Sequence, residues 1–465
     1  MKNEQSSLDS FVSGSVSSAV LRNVVPAIAA MIMVLIYNLA DTFFIGQTNN
    51  DYMVAAVNLA TPVFLLFMSL GTLFGMGGTS LISRALGAGK TEYAKKVCSF
   101  CMWAGVFVGA VCSILLLIFA EPLSIMLGAS TETLDYTKTY LSIVSLSGIF
   151  SIISNCYTNI IRAEGKSTTA MMGTLLGNLL NVILDPIMIL GFNWGVAGAA
   201  IATVIGNVAG ALYYLIYFWR GKSILSINLS DFSMKDGICS GVLSIGIPAA
   251  LGNILMSISQ IITNSRMSGY GDMAVAAYGV SAKVLMIVSL VGIGIGQGVQ
   301  PLLGYCFGAK NKERFQKPLR FSLFFAFILC TVLTVLCYVF APQIVTVFLT
   351  NEEALSLGTD FSRIMLTTAW LFGIFYVLMN ALQAIGAAGP SLLISLCRQG
   401  LIYIPAVFIL EVLIGLNGLA WAQPVADVLS LVLEVIIYRT VIAKPEKMKT
   451  ASESSAEGEV TCERQ

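Results

Sequence analysis

The feature that most constrains this chain is a series of long apolar stretches, each of roughly twenty residues or more, divided by clusters of Gly, Pro, Asn or charge. A stretch of that length matches the hydrocarbon thickness of a bilayer. Inside a bilayer every backbone N–H and C=O must be satisfied within the segment, so such stretches form helices. The sequence predicts an all-α integral membrane protein with about twelve transmembrane helices. The first six are expected at 20–46, 53–83, 97–120, 138–161, 168–190 and 195–219. The second six are expected at 240–265, 273–305, 319–341, 357–384, 389–414 and 418–441. With 57% hydrophobic and 11% charged residues, a water-soluble fold is excluded. A net charge of +1 gives no reason to expect nucleic acid or an acidic partner.

Local charge sets the orientation. Arg84, Lys90, Lys95, Lys96, Arg162, Lys166, Arg220, Lys222, Lys235, Lys310, Lys312, Arg314, Lys317 and Arg320 fall near connections that follow even-numbered spans, whereas Asp51, Glu121, Glu132, Asp135, Glu352 and Glu353 sit in the opposite connections, with only a few basic residues such as Lys138 and Arg266 among them. By the positive-inside rule both termini are cytoplasmic, in a multi-pass protein of the cell (cytoplasmic) membrane. The halves also resemble each other at an offset of about 221 residues. Gly71, Gly75 and Gly77 face Gly292, Gly296 and Gly298; Val25-Pro-Ala27 faces Ile247-Pro-Ala249; Gly198, Ala200 and Ala202 face Gly418, Ala420 and Ala422. An even number of spans per copy makes the repeat parallel, an arrangement found in transporters. The expected organisation is a cytoplasmic N-terminal segment (1–19), an N-lobe (20–220), a cytoplasmic linker (221–239), a C-lobe (240–441) and a disordered cytoplasmic tail (442–465). Two pseudo-symmetric six-helix lobes around a central cavity suit alternating access, and a monomer suffices to enclose the pathway. The linker reads as a tether, with room for a short interfacial helix.

There is no histidine, and most of the ten cysteines stand singly in apolar runs. Cys98 and Cys101 form one C-x-x-C, but no second pair or histidine completes a zinc site, so no structural metal and no cofactor are expected. No H-E-x-x-H or G-x-S-x-G motif occurs, so an enzyme is not expected. The polar N-terminus lacks the layout of a cleaved signal peptide.

Acids inside spans are costly and mark function or a paired structural site. Asp41 in the first span and Asp185 in the fifth fall at similar depth in the outer half. Helical spacing puts Tyr37, Asn38 and Asp41 on one polar stripe and Asn178, Asn181 and Asp185 on another, with Thr203 and Asn207 on the sixth span. Together they would line an N-lobe pocket where a carboxylate carries a proton or coordinates a cation through oxygen ligands. The alternatives are local: Asp41 marks a wet helix end, and Asp185 compensates backbone groups freed by Pro186. In the C-lobe Lys283, Arg398 and Asp427 lie near mid-depth, as a structural ion-pair cluster or facing substrate, while Glu411 and Glu434 lie nearer the surfaces, where they would snorkel. Pro26 and Pro248, at matching positions, are candidate hinges or static kinks. Met31 and Met256 are candidates for an adaptable apolar cavity wall, or for plain packing.

The stretches Tyr37-Asn-Leu-Ala-Asp-Thr-Phe-Phe-Ile-Gly46, Arg84-Ala-Leu-Gly-Ala-Gly89, Ile161-Arg-Ala-Glu-Gly165 and Asn181-Val-Ile-Leu-Asp-Pro-Ile187 resemble the multidrug and toxic compound extrusion (MATE) family over essentially the whole chain. That resemblance implies an exporter exchanging bulky, often cationic organic compounds for inward-moving H⁺ or Na⁺. It assigns the family's first-span acid to Asp41 and its fifth-span Asn-x-x-x-Asp to Asn181 and Asp185, with Tyr37 and Thr203 matched more loosely. The NorM-like branch has acids in the seventh and tenth spans; none occurs here in 240–265 or 361–384, and Asp360, at the outer end of the tenth, does not fit the pattern. The chain therefore looks closer to the DinF- and MepA-like branch, with coupling in the N-lobe. The competing readings are a lipid-linked or polysaccharide flippase of related architecture, with Lys283 and Arg398 meeting an anionic headgroup, and, remotely, an intramembrane enzyme.

Overall fold

A computed structural model describes residues 11, 15–48, 50–349 and 351–441. The first ten residues, most of the start of the N-terminal segment and the expected tail 442–465 lie outside the described residues. Among those described there are helices and turns and no strand. Eleven helices are long and apolar enough to cross a membrane, and one bent pair makes a twelfth span.

That pair is the expected fourth span, built as Leu134–Leu146 and Gly148–Ala163 with a 55° bend between them. Three more spans change helical pitch partway: the fifth (Ser167–Asp185, then a wider π turn over Pro186–Gly191), the tenth (Glu352–Leu366, then Phe372–Ala384) and the eleventh (Ala388–Leu396, a π turn over Cys397–Leu401, then Tyr403–Ile414). Pro186 opens the fifth-span π turn, as expected where a missing N–H disrupts the regular ladder.

The described residues divide into two compact units, one containing residues 29–246 and the other residues 15–28 with 247–441. This differs from lobes divided at the linker. The opening turns of the first span (Val16–Gly46) pack within the second unit, and those of the seventh (Ile238–Ser268) within the first. Glycines permit both: a Cβ on Gly77 would lie 2.1 Å from the Val242 carbonyl oxygen, and one on Gly298 2.7 Å from Val24 Cα. With no side chain at these two points, one helix presses directly on another's backbone.

The sequence repeat is also a packing repeat. In the first unit Gly75 of the second span (Asp51–Gly87) faces Asn159 of the fourth, whose amide would lie 3.0 Å from an added Cβ. In the second unit Gly296 of the eighth span (Asp272–Gly308) faces Asn380 of the tenth, at 2.5 Å. The fifth span meets the sixth (Gly195–Trp219) through Gly177 and Gly206, where a Cβ on either would lie 2.7 Å from the other's carbonyl oxygen.

The segment between Gly221 and Gly237 is no loose tether. It carries one 3₁₀ turn (Leu229–Asp231) and is fastened along the first unit. Ser99 Oγ donates to the Asn228 carbonyl at 2.6 Å, Trp103 Nε1 to that of Ile227 at 3.1 Å and Tyr93 Oη to that of Asp236 at 3.3 Å. Phe232 stacks on Phe100, and Ile224 and Leu225 are buried. The apolar residues of this segment thus give it a docked face.

Candidate functional site

The polar residues of the first unit converge where the first, fourth, fifth and sixth spans meet. Asp185 is wholly buried, Asn181 and Thr203 nearly so, and Asp41 partly. Asn181 links Asp185 to Thr203. In the orientation that satisfies both ends of its amide, its nitrogen donates to Asp185 Oδ2 at 3.0 Å and its oxygen accepts from the Thr203 N–H at 3.1 Å and hydroxyl at 3.3 Å. The i, i+4 spacing of Asn181 and Asp185 makes the first contact possible, and the Gly177–Gly206 crossing brings Thr203 close enough for the second.

Asp41 and Asp185 lie within electrostatic reach of one another, and Tyr37 lies within reach of both. Tyr140, which the sequence did not single out, approaches the same acids and Thr203. Thr137 and Tyr140 share one face of the first helix of the fourth span, and both are buried. Among the described residues, Asp41 Oδ1 and Asp185 Oδ1 are buried without a hydrogen-bond partner, and no lysine or arginine pairs with either acid. Two acids with unused oxygens, two tyrosine hydroxyls, an amide and a threonine form an oxygen-rich acceptor set. Such a set can carry a proton or a hard monovalent cation.

The remaining predicted residues are more dispersed. The Asn38 amide donates to the Val34 carbonyl of its own helix at 2.8 Å. Asn178 and Asn207 lie on the fifth and sixth spans, each with a buried amide nitrogen lacking a partner among the described residues. Met31 is half-buried in the first unit; Met256 belongs to the second and is exposed. Pro26 and Pro248 lie inside continuous helices, beside the points where the chain passes from one unit to the other.

Lys283 and Arg398 also belong to the second unit and have different surroundings. Lys283 is half-buried, with Nζ 5.5 Å from the centre of the Phe348 ring. Arg398 is buried and its Nε donates to Asp427 Oδ1 at 2.9 Å. Its Nη1 donates to Tyr376 Oη at 3.1 Å, and its plane lies 4.2 Å from the centre of the Phe375 ring. Gln423 Nε2 donates to the same Asp427 oxygen at 2.9 Å. Glu434 does not snorkel: it is 0% exposed, because Asp427, Ser430 and Glu434 share the inward face of the twelfth span (Leu416–Val441).

Comparison with known proteins agrees with this architecture. The MatE family model matches residues 26–187 and again 248–409, one match in each half. The chain is 34% identical to the multidrug export protein MepA of Staphylococcus aureus (strain MSSA476) over 439 residues, 94% of this chain and 96% of that protein. It is 32% identical to MepA of Staphylococcus saprophyticus over the same length. Among solved structures, a MATE protein in complex with MaL6 superposes with a TM-score of 0.89 at 24% identity, covering 97% of this chain and all of that one. An outward-facing multidrug resistance MATE family transporter of the MOP superfamily superposes at 0.88 and 23% identity, covering 95% and 98%. A double match of the family model, a shared length and the duplicated glycine packing lead to one assignment: this chain is a multi-pass membrane protein of the MatE (MATE) family.

Proposed function

We propose that this protein is a secondary multidrug exporter, exchanging small organic, often cationic compounds for inward-moving H⁺ or Na⁺ by alternating access. Asp41 and Asp185 bind the coupling cation, Asn181 and Thr203 hold Asp185 in place, and Tyr37 and Tyr140 complete the acceptor set. The observation that carries this reading is the proximity of two intramembrane acids, neither neutralised by lysine or arginine among the described residues. An intramembrane acid without a fixed countercharge calls for a mobile one. The similarity to proteins named as multidrug exporters supports the substrate class. Both termini are cytoplasmic in this reading, a monomer is the transporting unit, and Pro26 and Pro248 act as hinges.

Coupled transport requires the cation to favour one access state over the other. The test is efflux of a fluorescent cationic dye from proteoliposomes under a pH gradient or a sodium gradient, for wild type and Asp41→Asn. Dye movement driven by one gradient and lost in the variant is the expected result, and it names the ion. A variant that reconstitutes normally and still transports at wild-type rate sinks the assignment of coupling to Asp41.

A further inference from the structure

The turn between the fourth and fifth spans buries a carboxylate that the proposed transport cycle does not use. Glu164 is 0% exposed, outside the spans, and its oxygens are shared between two elements. Oε1 accepts from the Tyr217 hydroxyl, near the end of the sixth span, at 2.5 Å. Oε2 accepts from the Ser223 hydroxyl at 2.7 Å and the Ile224 N–H at 3.2 Å, both in the segment that joins the halves. We propose that Glu164 is a proton-operated latch that fastens this connecting segment to the first unit and holds it more tightly as the pH on that face falls.

The hydrogen bonding accommodates both charge states. Ionised, the carboxylate accepts three donors. Protonated, its own O–H donates to Tyr217 Oη, and the tyrosine hydrogen turns to the Lys222 carbonyl, which lies 3.3 Å away. Ser223 and Ile224 still donate to Oε2, so no buried group is stranded in either state. The titratable and charged groups facing the carboxyl are Tyr217 of the sixth span, Lys166 at the head of the fifth and Cys98 of the third. Burial outweighs the three donors and Lys166 and pushes the Glu164 carboxyl up from 4.5 to about 7.

A released, solvated Glu164 returns to the ordinary range, so the latched state binds the extra proton. Its stabilisation is complete below the ordinary carboxylate range and is lost as pH rises through about 7. Between pH 8 and pH 6 the latching equilibrium should strengthen roughly tenfold. The segment held in this way runs directly into the opening turns of the seventh span, which pack in the same unit.

The test is hydrogen–deuterium exchange at the Ile224 and Leu225 amides in the full-length protein in lipid nanodiscs, corrected for intrinsic exchange. Wild type is expected to be protected roughly tenfold more at pH 6 than at pH 8, and Glu164→Gln, which cannot titrate, equally at both. Ser223→Ala removes a donor to the carboxylate and moves the midpoint to higher pH. Equal wild-type protection at both pH values, or a pH response retained in Glu164→Gln, overturns the latch. If the glutamine variant does not fold, an unmoved midpoint in Ser223→Ala overturns it alone. Exchange is read without transport, so this result stands apart from that of the dye assay.

Discussion

Replacing Arg398 with methionine discriminates a structural ion pair from a substrate contact. The side chains of Arg398 and Asp427 are only 7% and 3% exposed and meet at 2.9 Å. Methionine keeps much of the arginine stem's volume but leaves the Asp427 carboxylate with only the Gln423 amide as a side-chain donor among the described residues. Breaking one side of a buried pair costs about 3–5 kcal/mol, because the survivor is an uncompensated buried charge. At about 2.1 cal/mol/K per residue, unfolding a chain of 465 residues carries an entropy of roughly 1 kcal/mol/K. The expected fall in Tm is therefore about 3–5 °C, measured by thermal unfolding in detergent. Arg398→Met combined with Asp427→Leu should recover most of it, since an apolar replacement of the whole pair is near neutral. Dye selectivity in the double variant should match wild type. A single variant with unchanged Tm and altered dye selectivity refutes this reasoning and makes Arg398 a cavity residue.

Asn181→Leu removes the donor to Asp185 and the acceptor of Thr203 together. A hydrogen bond donated to a charged group contributes about 1.5–3 kcal/mol to the ionised form, so if the coupling ion is H⁺ its apparent affinity, read from the gradient dependence of dye efflux, should rise by about ten- to a hundredfold; an unchanged dependence shows that Asn181 does not support Asp185. Gly177→Val places methyl groups against the Gly206 backbone, where even a Cβ would lie 2.7 Å from the carbonyl oxygen, and overpacking of this kind costs about 1–3 kcal/mol. It should lower Tm and monodisperse yield in size-exclusion chromatography. Gly279→Ala, where nothing lies within 4 Å, should leave Tm unchanged or raise it.

The spans and the repeat were legible because a bilayer imposes a simple rule on length and polarity, and because glycines that permit close helix contact recur in register. Gly75 against Asn159 and Gly296 against Asn380 show why the offset is kept: each pair sets how closely two spans approach. The bend in the fourth span was not legible, since Leu146-Ser147-Gly148 carries no proline and the break depends on the packing of Gly148 against Phe67. The docking of the linker was not legible for a related reason. Its few apolar residues look unremarkable alone, and a partner such as Phe100 of the third span, on which Phe232 stacks, is supplied only by the fold. Glu434 was misplaced because distance from a helix end says nothing of which face a residue occupies. Tyr140 was passed over because a tyrosine in an apolar run is ordinary until neighbouring spans bring acids to it.

The two halves share a framework but have diverged in charge, and the divergence bears on where coupling occurs. At the offset that aligns Gly198 with Gly418, Thr203 corresponds to Gln423 and Asn207 to Asp427. In the second unit the polar residue on the last span is an acid, held by Arg398 and by Gln423 one turn away. In the first unit the corresponding positions are uncharged, and the acids sit on the first and fifth spans with no lysine or arginine paired to them among the described residues. A guanidinium locked to a carboxylate has little free charge to offer a passing ion, and disrupting it destabilises the fold. Asp41 and Asp185 carry no such penalty for exchanging a cation. Glu434 is the exception in the second unit: both its oxygens lack a hydrogen bond among the described residues. In the proposed cycle Glu434, within electrostatic reach of the Arg398 guanidinium, belongs with the Arg398–Asp427 cluster, and the mobile charge is carried by Asp41 and Asp185 of the first unit.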